Sequence, residues 1–136
     1  MTQREPSPFT RLLGIKIISW TAERTESQVI VREDLCNRRG VMHGGAVMAW
    51  GDTLGGMTAS AALNDDQSTA TIESKTNFFA PIPKGDTAHA VCTPLHSGRT
   101  TIVLQTNITR GDGKLAAIVT QTQIVLPKQT SSSPTT

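Results

Sequence analysis

Apolar and polar residues alternate in short runs along most of this chain, and the alternation stops once, over a long stretch nearly free of charge. Residues 9–14 (FTRLLG) predict a short helical turn closed by Gly14. Residues 15–20 and 27–32 are β-rich runs on either side of a polar stretch, and predict a hairpin or a pair of neighbouring strands. Residues 33–42, with Asp34, Asn37, Arg38, Arg39 and Gly40, read as a loop. Over residues 43–63 alanine, methionine and leucine dominate and β-branched residues are sparse, which predicts one long helix. It forms in spite of Gly44, Gly45, Gly51, Gly55 and Gly56, each of which lowers helix propensity by up to about 1 kcal/mol relative to alanine. Such a helix must gain from close packing. Asp52 is its one charge, and a helix apolar nearly all round is expected to be buried. After a turn at 64–67 the pattern is β throughout, in the runs 68–79, 87–95, 100–109 and 115–126. Between them lie the Pro81-to-Asp86 segment, Ser97-Gly98 and Gly111-Asp112-Gly113, of which the last two predict hairpin turns.

The predicted order is a short helix, two strands, a long buried helix and four strands. Meander connections predict a largely antiparallel six-stranded sheet, against which the helix must pack. An α+β chain with a curved sheet wrapped around a long central helix is the hotdog architecture. A length of 136 residues suits one domain, expected over residues 1–126, followed by a polar tail at 127–136 (PKQTSSSPTT) expected to be disordered.

Composition narrows the function. The net charge of +2 is scattered in both signs, so no nucleic-acid partner is expected. Cys36 and Cys92 match no metal or redox spacing, and suit a reducing cytoplasm. Residues 1–8 lack the apolar run of a signal peptide, and residues 44–64 are too interrupted for a membrane span. The expectation is a cytoplasmic protein with no metal and no membrane partner.

The stretch that carries chemistry is Asn37-Arg38-Arg39-Gly40-Val41-Met42-His43-Gly44-Gly45, followed by Asp52. His43-Gly44-Gly45 opens the long helix, where backbone N–H groups lack intrahelical acceptors and the helix dipole is positive. That is a site for a carbonyl oxygen that gains negative charge. A carboxylate inside an apolar helix is costly unless it is used, and Asp52 could serve as base or nucleophile. Asp52 follows His43 by nine residues, about 13 Å along the axis and half a turn round it. Within one chain the two point apart. Two helices packed antiparallel across a twofold axis would set His43 and Gly44 of one copy against Asp52 of the other, with Gly51, Gly55 and Gly56 permitting close helix contact.

Asn37-x-x-Gly40-x-x-His43-Gly44-Gly45 with Asp52, and the strand ending Phe78-Phe79-Ala80-Pro81, resembles the phenylacetic-acid-degradation (PaaI-like) branch of the hotdog acyl-CoA thioesterases. The resemblance spans roughly residues 9–125. It implies hydrolysis of an aryl or aliphatic acyl-CoA to free acid and CoA, with no cofactor besides the coenzyme A of the substrate. It implies that the Gly44 amide polarises the carbonyl, that Asn37 and His43 position the thioester or water, and that Asp52 activates the water or attacks directly. Thr71 matches a hydroxyl position that helps hold the water. Residues Phe78, Phe79, Pro81 and Pro83, and the turn Ser97-Gly98-Arg99-Thr100, resemble segments that contact coenzyme A, with Arg99 as phosphate partner. A homodimer, and a homotetramer made of two dimers, are implied as well. Departures are an aspartate where some relatives have glutamate, Gly56 where some have a hydroxyl, and a bulky Trp50 expected to shorten the acyl pocket. Other readings are a non-catalytic acyl-CoA-binding protein, an acyl-thioester hydratase or dehydratase, and a dimerisation module. His89 and His96 read as ordinary strand residues, and Met42, Met48 and Met57 as packing.

Overall fold

The computed structural model of the protein describes residues 5–128. Helix α1 (Pro8–Leu13) starts at Ser7, whose Oγ accepts the Thr10 N–H at 3.2 Å. It ends at Gly14, whose φ of 74° is the left-handed turn that glycine adopts without strain. Strands β1 (Lys16–Trp20) and β2 (Thr25–Ile30) pair antiparallel, and a single 3-10 turn (Glu33–Leu35) leads into the loop ahead of helix α2 (Gly44–Ser60). Then come β3 (Gln67–Phe78), β4 (Thr87–Ser97), β5 (Thr101–Thr109) and β6 (Leu115–Pro127).

The six strands form one sheet in the order β1-β2-β4-β5-β6-β3, with every neighbouring pair antiparallel. The hotdog expectation holds, with one difference in connection. Only β4, β5 and β6 form the meander. The chain leaves β3 through the Pro81–Asp86 segment and crosses to β4, which leaves β3 at the sheet edge beside β6. Two prolines in that segment cannot donate to a ladder, so a tight hairpin back onto β3 is disfavoured there.

Helix α2 lies across the sheet with Val47, Trp50, Leu54 and Ala59 buried. They meet Val29, Ala88, Ala90, Leu104, Ile108 and Val119 in one core. Burial of Trp50 and Leu54 contributes about 1.5–3 kcal/mol each. Gly51 and Gly55 set how close the helix comes. A Cβ on Gly51 would lie 2.5 Å from Val119 Cγ2, and one on Gly55 2.1 Å from Gln121 Oε1. The expected packing of these glycines against a second helix is therefore corrected: they bring α2 onto β6. A Cβ on Gly56 would meet nothing within 4 Å.

All-round burial of α2 is corrected too. The protomer covers one face only, and Met48 and Asp52 are exposed on the other. Strand β6 runs one residue past the expected boundary, to Pro127, and Lys128 N–H donates to the Asp66 carbonyl at 2.7 Å. The rest of the expected tail, 129–136, lies outside the described residues.

Candidate active site

Helix α2 begins at His43, which caps it rather than opening it. Its Nδ1 accepts the Gly45 N–H at 2.8 Å. A neutral imidazole that accepts at Nδ1 carries its proton on Nε2, so the outward nitrogen is a donor. Main-chain bonds fix the approach: His43 N–H to the Leu35 carbonyl and Met42 N–H to the Ile82 carbonyl, both 2.8 Å. Gly44 is the first helical residue, and among the described residues its N–H has no acceptor. Asn37 uses its side-chain oxygen to close the loop, accepting from the Arg39 N–H at 2.9 Å. Its amide NH2 remains available as a donor.

Asn37 and Gly44 border a cavity of about 410 Å³ that Arg39, Phe78, Phe79 and Pro81 also line. The Phe78 ring sits 3.3 Å from the position of a Cβ on Gly44, so a larger residue there would close the space over the free amide. Pro83 stands just outside, bridged to Val41.

Asp52 is two turns further along α2 and belongs to a different opening. It borders a groove of about 1100 Å³ with Ile15, Ile17, Trp20, Gly56, Met57 and Thr71 on its walls. Its carboxylate is exposed in the protomer, which corrects the expected dry surroundings, because α2 spends its covered face on the sheet. Two donors nevertheless hold it. Thr71 Oγ1 donates to Asp52 Oδ1 at 2.6 Å, and Gln121 Nε2 donates to the same oxygen at 3.1 Å. Gln123 Nε2 in turn donates to Thr71 Oγ1 at 2.5 Å, and Thr69 Oγ1 donates to Gln123 Oε1 at 3.0 Å. Both donors converge on Oδ1. Among the described residues Oδ2 has no partner. A bulge in β3 between Thr71 and Glu73 sits beside this network. Bulges of this kind re-aim a side chain next to a site.

The structure thus joins Asn37, His43, Gly44, Phe78, Phe79 and Pro81 at one end and Asp52 with Thr71 at the other. Ser97, Gly98, Arg99 and Thr100 line neither cavity. Their turn lies at the Thr71 end of the sheet: Thr100 accepts from the Val125 N–H at 2.8 Å, and Thr101 pairs with Ile124, which pairs with Ala70. The expected coenzyme contacts are therefore split within one protomer. Trp50 is wholly buried and donates through Nε1 to Ser27 Oγ at 2.9 Å, so it packs under the helix and shortens neither cavity. Position explains this: it lies about 200° round the helix from Asp52.

Gln121 and Gln123 were not singled out from sequence. The signal was there, since both fall on the inward positions of a strand that otherwise reads Ala117, Val119, Val125. Among the described residues no cluster of His, Cys, Asp and Glu could hold a metal, and no helix is long and apolar enough to cross a membrane.

The family model described as thioesterase superfamily matches residues 39–117, from the loop ahead of α2 into β6. This chain belongs to the thioesterase superfamily. A candidate esterase of Saccharolobus solfataricus is 34% identical over 108 residues, covering 79% of this chain and 75% of the relative. Among solved structures, a thioesterase of Haemophilus influenzae is 25% identical, with a TM-score of 0.84 and coverage of 92% and 87%. A Streptococcus mutans protein solved with acetyl CoA bound shares the fold at 22% identity, with a TM-score of 0.83 and coverage of 96% and 100%. For this superfamily member the matched span includes α2 whole, and with it both His43 and Asp52.

Proposed function

We propose that the chain hydrolyses acyl-CoA thioesters at a site shared by two copies, in which Asp52 of one faces the α2 start of the other. The observation that carries this is the form of the two half-sites. One end offers an uncommitted helix-start amide beside an apolar cavity, and the other a carboxylate fixed by one oxygen with the second left free. Along β3, Thr71 and Phe78 are seven residues apart, which is about 23 Å of strand at ~3.3 Å per residue. One thioester carbonyl cannot reach both within a protomer. β3 is an edge strand, exposed along most of its length, and an unpaired edge is a template for pairing. Antiparallel pairing of β3 with its own copy would bring the Phe78 end of one chain to the Thr71 end of the next.

In that setting the Gly44 N–H donates to the thioester oxygen as it gains negative charge, with Asn37 Nδ2 and His43 Nε2 as further donors. Asp52 Oδ2 takes a proton from water as the water oxygen attacks the carbonyl carbon. Collapse of the tetrahedral intermediate breaks the C–S bond, and the proton leaves with the CoA thiol, giving free acid and CoA. Direct attack by Asp52 is the less favoured role, because an aspartate clamped at Oδ1 has a short reach. The reaction calls for no cofactor beyond the substrate's own CoA. The acetyl CoA bound by the S. mutans protein supports a CoA thioester as ligand at the level of the fold. The PaaI-like branch, the dimer of dimers and the Arg99 phosphate contact belong to the same proposal and are supported by the sequence resemblance, and the cytoplasmic setting by the cysteine pattern.

The test is thiol release from aryl and from short, medium and long acyl-CoAs, with Asp52→Asn alongside. The variant is expected to lose at least ~100-fold in turnover while remaining folded, the range for loss of a general base. Turnover like wild type in the folded variant contradicts the mechanism, and CoA binding with no thiol release from wild type favours the non-catalytic reading.

A further inference from the structure

We propose that Gln121 is a positioning residue for catalysis, with Gln123 behind it: together they clamp Asp52 by Oδ1 so that Oδ2 alone faces the reacting water. The inference rests on the general-base reading of Asp52.

Two features of the sequence that are unfavourable singly are explained together. Gln121 and Gln123 are 0% and 1% exposed, in inward positions where β6 otherwise carries apolar side chains. A glutamine in such a position loses its bonds to water and is tolerated when the fold supplies others. The fold supplies them incompletely, since among the described residues Gln121 Oε1 is buried without a partner. Opposite it, α2 carries a glycine in a helix interior, and the space that glycine leaves holds this very amide, 2.1 Å from where a Cβ would stand. A sheet and helix packed for stability alone would fill the place with an apolar pair. What the arrangement delivers is an N–H aimed at Asp52 Oδ1. The amide's orientation follows from chemistry, because an ionised carboxylate only accepts and the NH2 end must face it.

Gln123 acts one step removed. Its NH2 donates to Thr71 Oγ1, which leaves the Thr71 proton no direction but Asp52 Oδ1. Thr69 secures the far end of Gln123. Two independent donors on one oxygen fix both the rotation of the carboxylate and the identity of its free oxygen. The other ionisable residues on the walls of this groove are Glu5 and Lys16. On β3 next to Thr71, Glu73 follows across the bulge.

The experiment measures thiol release from hexanoyl-CoA and benzoyl-CoA as a function of substrate concentration for wild type, Asp52→Asn, Gln121→Met and Gly55→Ala. Methionine keeps the volume and removes the donor. Alanine at 55 leaves Gln121 in the sequence but occupies the space of its amide, at the end of a flexible side chain. Turnover falls roughly 10- to 100-fold with KM changed little, the signature of misplacement. Both variants are expected to show this, and Gly55→Ala does so even if Gln121→Met fails to fold. An Asp52→Asn that is inactive beside a folded Gln121→Met or Gly55→Ala with wild-type turnover, or with KM changed and kcat unchanged, overturns the positioning role. Wild-type activity in Asp52→Asn overturns the base assignment beneath it instead.

Discussion

Adding a single methyl group at Gly51 tests the contact between α2 and the sheet. A Cβ there would stand 2.5 Å from Val119 Cγ2, 2.8 Å from Val119 Cβ and 3.0 Å from Val119 Cγ1. Rotating Val119 about χ1 moves its methyl groups but leaves its Cβ, which is fixed to the backbone of β6. The helix must therefore retreat until the 2.8 Å approach opens to the 3.4 Å of an ordinary contact. Trp50 and Leu54, wholly buried on either side of this point, would lose part of their packing as it does. Overpacking of this kind costs about 1–3 kcal/mol, against which alanine returns up to about 1 kcal/mol of helix propensity. Gly51→Ala is thus expected to be destabilised by about 1 kcal/mol, and by about 2 kcal/mol at the upper end of the overpacking range. The assay is urea denaturation followed by tryptophan fluorescence, at matched protein concentration so that any self-association contributes equally. A variant as stable as wild type, or more stable, would refute the claim that Gly51 sits against an unyielding part of β6.

Two further outcomes follow from the site and the core. Thr71→Val removes the hydroxyl on Asp52 Oδ1 while leaving Gln121 in place, so turnover in the thiol-release assay should fall about tenfold, less than for Asp52→Asn. Burial pushes the Cys92 thiol above its ordinary range; at pH 8 its thiolate is therefore scarce, and mass spectrometry after iodoacetamide treatment of the native protein should find Cys36 modified well before Cys92.

Much of the fold was legible because period-2 alternation and the charge-poor run at 43–63 are strong local signals, and the β4–β5 and β5–β6 turns carry their own glycines. The place of β3 was not, since the strand pairs with β6 some fifty residues later in the chain, and nothing local to either one encodes that register. Of the site, the helix start could be read from Asn37, His43 and Gly44, whose chemistry is written in adjacent residues. Asp52 stands out as a charge out of keeping with its helix, yet its surroundings differ from the expectation: a helix apolar nearly all round argues for burial, while the protomer covers one face of α2 only. Gly51 and Gly55 were assigned to a helix–helix contact because sequence shows that close approach is needed but not to what. The two buried glutamines do not stand out in the sequence, because a polar residue on a strand is expected to face solvent until its register is known.

The claim at the centre of this account is that each active site draws Asp52 from one chain and His43 and Gly44 from another. Mixing His43→Ala with Asp52→Asn after reversible dissociation, with subunit exchange verified by co-purification of a tag carried on one variant, tests it directly. Random reassociation makes half the dimers mixed, each with one intact site and one doubly altered, so thiol release should recover to about a quarter of the wild-type value. Verified exchange with activity no higher than the sum of the two separate variants would contradict it.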